Sequence, residues 1–248
     1  MRNAIEGKAM SSKKTQKTEE LFIYILFSST PSRFGRMIRY ASGTRFNHVS
    51  VAFDEDLRKL YSFGRRRNSI PINAGLVQEY PERFSLKKVD YVGIKIYRIP
   101  ISKQQMRLGK KRIRQIMNDD CYLYNLYSVL FYPIFKGFYT YKAYTCVEFV
   151  IHLLRVLQID VPTDKPGYKY LPDELEHILK AECLYEGNLL EYTCGCRAMN
   201  NDFFDPIISY REQFYATGIS VIILTKLAYR KVRHSHRLAK ITSLIMSP

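Results

Sequence analysis

The pattern of apolar and polar positions sets out most of the elements. Leu21 to Ser28 (LFIYILFS) is an unbroken apolar run of strand length and predicts a buried strand. Ser32 to Ser42 places Phe34, Ile38 and Ala41 on one face and predicts a short amphipathic helix ended by Gly43. Asn47 to Phe53 alternates, with Val49, Val51 and Phe53 on one side and His48, Ser50 and Ala52 on the other. Asp54-Glu55-Asp56 then turns the chain into a returning strand over Lys59 to Phe63, a hairpin. A loop is expected from Gly64 to about Leu76, and a further strand over Val92 to Tyr97, closed by Pro100. Ser102 to Met117 reads as a helix with a Ser cap. Cys121 to Tyr144 reads as a buried helix followed by an aromatic loop broken by Pro133 and Gly137. The strongest helical signal is Thr145 to Leu157, where Val147, Val150, Ile151, Leu154 and Leu157 recur at helical spacing. Leu171-Pro172-Asp173 opens another short helix, and residues 219–246 read as a long basic amphipathic helix, or a strand leading into one. The expected organisation is a polar leader over 1–19, a domain over 20–192 and a basic extension over 193–248.

Composition narrows the class. The 248 residues are 46% hydrophobic and 25% charged, which excludes global disorder. No apolar run approaches the ~20 residues of a membrane-spanning helix. The five cysteines are odd in number and irregularly spaced, which argues against a disulfide framework. No secretory signal is evident before Leu21, so the expected location is cytoplasmic, with peripheral attachment to the inner membrane face. Cys194 and Cys196, with Cys183 and His177 nearby, fit no common closed zinc site, and neither metal nor cofactor is expected.

The formal net charge is +16, and ten of the sixteen lie in residues 1–18 and 226–240. Such ends attract anionic surfaces. Arg65-Arg66-Arg67 and the C-terminal cations raise the possibility of phosphate-backbone binding, but no nucleic-acid motif accompanies them, so nucleic acid is not the expected partner.

One pair of residues carries chemistry. Cys146 opens the strongly periodic helix, where the positive end of the helix dipole and unpaired N–H groups favour thiolate. His48 starts a strand and is placed to take the thiol proton, then return it to a leaving group. A third polar group would orient the imidazole. Ser62 on the returning strand is the candidate on chemical grounds, with Tyr61 the other polar choice; a two-residue turn would instead pair His48 with Phe63.

The segments FNHVSVAFDEDLRKLYSFGRR (46–66) and YTCVEFVIHLLRVLQID (144–160) resemble the YiiX-like, circularly permuted branch of the NlpC-type papain-like cysteine peptidases, closest to an uncharacterised Gram-positive bacterial group. The likeness covers roughly residues 21–192 and includes Leu171-Pro172-Asp173 and Tyr185-Glu186-Gly187. It implies an α+β permuted papain-like fold, with a small antiparallel sheet and the nucleophile helix packed against it, plus a C-terminal helical extension. It implies His48 as base and Cys146 as nucleophile. The sequence departs where many relatives carry a second His, a Glu or another strong acceptor on the returning strand, because Leu60, Tyr61, Ser62 and Phe63 offer only hydroxyls.

The expected function is a thiol hydrolase or acyltransferase acting on a peptide, amide or acyl-ester substrate. An acyl substrate would suit the aromatic stretch Phe131 to Tyr144, and the basic C-terminal helix would hold the enzyme at an anionic membrane surface. The alternative is a non-catalytic papain-like module that binds an anionic ligand or membrane surface.

Overall fold

A computed structural model describes residues 20–193 except 69, 71–72 and 87–88, together with 202–204, 209–211 and most of 214–230. The protein is α+β. Eight strands form one mixed sheet in the order β7-β6-β4-β3-β2-β1-β5-β8. They are β1 (Leu21–Ser28), β2 (His48–Ala52), β3 (Leu60–Arg65), β4 (Ala74–Glu79), β5 (Gly93–Ile101), β6 (Leu123–Tyr124), β7 (Ala143–Tyr144) and β8 (Glu182–Asn188). All neighbours are antiparallel except β6 and β7. The helices are α1 (Arg33–Ser42), α2 (Pro81–Ser85), α3 (Lys103–Met117), α4 (Leu126–Leu130), α5 (Tyr132–Phe135), α6 (Cys146–Val156), α7 (Pro172–Ile178) and α8 (Leu189–Tyr192).

The unbroken apolar run of β1 has a simple cause. The strand lies between β2 and β5, and both of its faces are buried. Ile23, Ile25 and Phe27 join Val49, Val51 and Phe63 under Val150, Ile151 and Leu154 of α6. Tyr24 and Leu26 point to the other side, where Ala52, Leu60, Ile94 and Ile96 pack with Phe84 of α2 and Leu189 of α8. Fully burying a side chain of this size contributes about 1.5–3 kcal/mol, so the two layers hold the sheet from both sides.

The sheet is larger than the small sheet expected. The chain over 64–76 does not remain a loop: β3 runs on to Arg65 and β4 returns from Ala74, pairing Leu60 with Glu79 and Arg65 with Ala74. β5 continues through Pro100, against β1, to Ile101. Residues 182–188 add an edge strand. The stretch between Cys121 and Tyr144 is not one buried helix. It forms two short helices flanked by two-residue strands, and α5 buries none of its side chains. The described residues between 210 and 230 are helical, while 231–248 lie outside the described residues, as do Cys194, Cys196 and residues 1–19. Part of the extension packs back on the domain: Leu224 is buried with Leu123 and Ala143, and Phe203 accepts at its carbonyl from the N–H of Asn68. Among the described residues no helix is long and apolar enough to cross a membrane.

Candidate active site

The N-terminus of α6 is built by a capping box. Thr145 Oγ1 accepts from Glu148 N at 3.1 Å, and Glu148 Oε2 accepts from Thr145 N at 3.4 Å. Cys146 is therefore the first helical residue. It carries a free, buried thiol. The N–H groups of Cys146 and Val147 belong to the first turn, so neither has an intrahelical acceptor. Buried apolar side chains behind them fix the helix on β2 and β3.

His48 is the first residue of β2 and follows a tightly held loop. Asp173, at the start of α7, accepts from the backbone N–H of Arg45 at 2.5 Å and of Phe46 at 2.9 Å. Asn47 is tied to Thr30, accepting from its N–H at 2.8 Å and donating to its carbonyl at 3.2 Å. The imidazole that follows is close enough to the Cys146 side chain for that group to raise its affinity for a proton. Two residues almost a hundred positions apart are thus in one site.

The group that orients the imidazole is Glu79, which the sequence reading missed. His48 Nε2 donates to Glu79 Oε2 at 2.9 Å. Ser62 does not take the orienting position assigned to it. Its hydroxyl donates to Glu79 Oε2 at 2.5 Å, and Ser50 donates to the same oxygen at 3.1 Å. Tyr61 points to the opposite face, beside the α6 layer. The parity question resolves through the register. Val51 faces Tyr61, and extending that ladder sets Ser50 opposite Ser62 and His48 opposite Gly64. Glu79, opposite Leu60, shares their face of the sheet. Its signal in the sequence was faint: a carboxylate ending a six-residue run, AGLVQE, that contains a glycine and lies just before Pro81.

The electrostatics follow from this arrangement. Burial alone would lower the affinity of His48 for a proton. The Glu79 charge, with the nearby Cys146 side chain and the hydrogen bond to Glu79, outweighs it and pushes the imidazole up to about 10. Burial likewise opposes ionisation of Glu79, but the His48 charge and hydrogen bond, the Arg83 charge and the Ser62 hydroxyl pull its carboxyl well below the usual range. The pair is an imidazolium–carboxylate at neutral pH. Tyr124 stands beside the sulfur, and burial, then the charge of Cys146, hold its phenol protonated.

Two cavities meet at this centre. One, of about 290 Å³, is walled by His48, Glu79, Arg65 and Arg83 among apolar groups that include Phe84 and Phe203. The other, of about 250 Å³, is walled by Cys146, Thr145 and Val147 with Tyr132, Tyr168 and Tyr170. Ile38, Asn47, Tyr124 and Leu130 belong to both, so the cavities share a wall. Among the described residues the first has charged walls and the second has none. Among the described residues no group of three or more His, Cys, Asp or Glu is arranged to hold a metal ion.

Comparison with family models, with curated proteins and with solved structures finds no match for this chain.

Proposed function

We propose that the protein is a thiol hydrolase or acyltransferase that cleaves an amide or ester through Cys146, His48 and Glu79. The observation that carries this reading is one imidazole bonded to a buried carboxylate at 2.9 Å and electrostatically coupled to the thiol on the first residue of a helix. The proton given up by Cys146 resides on His48, as the imidazolium, while the sulfur forms a bond to the substrate carbonyl carbon. The carbonyl oxygen becomes an oxyanion, for which the free N–H groups of the first turn of α6 are donors. As the tetrahedral intermediate collapses, the bond to the leaving group breaks and that group takes the proton from His48. Water or another acceptor, deprotonated by His48, then attacks the thioester and releases the acyl group with the thiol restored. Glu79 stabilises the imidazolium in both halves and fixes the ring tautomer.

The sequence resemblance to the permuted NlpC-type branch supports the same assignment of His48 and Cys146, and Glu79 supplies from β4 the acceptor that β3 lacks. The binding-module alternative drew its support from that missing acceptor.

Three described cysteines make the test internal to the chain. Cys121 and Cys183 are exposed and Cys146 is buried. If access governs alkylation, iodoacetamide modifies Cys121 and Cys183 first. The proposal expects Cys146 to react first at neutral pH, and that priority to vanish in His48→Gln, as read by peptide mass spectrometry. Slow alkylation of Cys146, insensitive to His48, would overturn it.

A further inference from the structure

The chain over 126–141 carries apolar groups on the wrong side for a core element. Phe131, Ile134 and Phe135 are 43%, 71% and 61% exposed. The rings of Phe131 and Phe135 pack at 6.2 Å, and Phe135 meets Phe138 at 6.5 Å, so these groups form one knob. A contiguous exposed apolar cluster marks an interaction surface.

A second feature adjoins the knob. Lys136, Lys165 and Lys169 surround a hollow of about 360 Å³ with Ser42, Tyr132 and Glu174. Among the described residues Glu174 is the one carboxylate in that wall, and it pairs with Lys165. The hollow is therefore cationic. It shares a wall with the cavity that holds Cys146, since Ser42, Tyr132 and Leu171 line both. The same short helix presents Ile134 and Phe135 outward and Tyr132 and Pro133 to the thiol cavity.

We propose that this face docks on an anionic phospholipid bilayer, with Ile134 and Phe135 entering the boundary between headgroups and acyl chains and the three lysines taking a lipid phosphate. An apolar tip ringed by ammonium groups is the form that interfacial anchors take, because Lys stems lie along apolar surface while their heads stay at the headgroups. A protein partner fits less well, since interface cores are depleted of Lys. A second copy fits less well again, because each chain brings +16. Docking stands on this face alone. Only the corollary, that an acyl ester enters beside Cys146, rests on the thiol reading.

The experiment uses the full chain and sucrose-loaded vesicles of phosphatidylcholine, with or without about a third of phosphatidylglycerol, over a salt series. Each cation near such a surface strengthens binding by roughly fivefold. Sedimentation should show binding that requires phosphatidylglycerol and weakens with salt. Ile134→Ser/Phe135→Ser and Lys136→Glu/Lys169→Glu should each weaken it by more than about tenfold, with circular dichroism and the Cys146 alkylation rate unchanged. No binding of the full chain at low salt overturns the proposal. So does equal binding by Ile134→Ser/Phe135→Ser, which would assign the attraction to the basic ends. A dimer that this variant dissociates, seen by light scattering, would assign the knob to a contact between copies and overturn it too. Because no readout requires turnover, loss of the docking proposal and loss of the thiol reading are separate results.

Discussion

Replacing Glu79 by Gln keeps the shape of the side chain and removes its charge. Two unit charges about 4 Å apart at an effective dielectric constant near 20 attract by about 4 kcal/mol, which is about three pKa units. His48, pushed up to about 10 in the native protein, should then titrate near or below roughly 7, because burial, the strongest single influence on it, acts downward and is no longer opposed by a carboxylate. The effect on stability has a definite sign. The raised His48 contributes stability that is complete below its ordinary value of 6.5 and is lost as pH rises toward 10. The lowered Glu79 contributes stability that is present above its ordinary value of 4.5 and is lost as pH falls toward 2. Near neutral pH, Glu79→Gln should therefore cost about 3 kcal/mol, the range seen when one partner of a buried pair is removed. The direct assay is NMR titration of the imidazole Cε1–H signals, with His48 assigned by its absence in His48→Gln. A native His48 that titrates near its ordinary value would refute the reasoning. So would a midpoint that moves by less than about one unit in Glu79→Gln.

Two further outcomes follow from neighbouring groups. A Cβ at Gly64 would stand 3.3 Å from Glu79 Oε1, so that the carboxylate must give by a few tenths of an ångström, and in ordinary contact 3.7 Å from His48 Cε1; Gly64→Ala should therefore slow Cys146 alkylation by up to about tenfold, and an unchanged rate would mean that Glu79 has room to spare. His152 is lowered to about 4 by burial, then by Arg112 and Arg155, and stays neutral to accept from Arg112 Nε at 3.0 Å. Between pH 6.5 and about 4 the unfolded chain binds the extra proton, so folding weakens as pH falls through that window. His152→Gln keeps an acceptor and should reduce that loss by about 2 kcal/mol, discounted for partial exposure, as measured by urea unfolding at both ends of the window.

The elements legible in the sequence are those in which one periodicity dominates. β1, the β2–β3 hairpin, α3 and α6 each present a single apolar pattern, and the structure places them where that pattern indicates. β4 was hidden because Ala74, Gly75 and a terminal Gln-Glu dilute its alternation, and because it draws its pairing from β3 rather than from its own side chains. The helices over 126–135 were misread as buried because apolar content reports burial only when something covers it. Ile134 and Phe135 face outward. Of the site, Cys146 and His48 were visible because both open strong elements, whereas Glu79 closes a weak one.

That weak element also explains why the hairpin itself offers no acid. Glu79 lies on β4 and His48 on β2, so the carboxylate must cross β3 to reach the imidazole. Strands lie about 4.8 Å apart, and the crossing runs over Ser62 and Gly64, which share Glu79's face. A large side chain at either position would block it. Gly64 leaves the space open, and Ser62 fills the remainder with a hydroxyl that donates to the passing oxygen at 2.5 Å. The Tyr-Ser-Phe-Gly end of the hairpin is thus the floor over which the orienting group arrives. A third member sought only on the strand paired with the histidine will be missed wherever that strand is made of small residues, because there the side chain that completes the site comes from one strand further away.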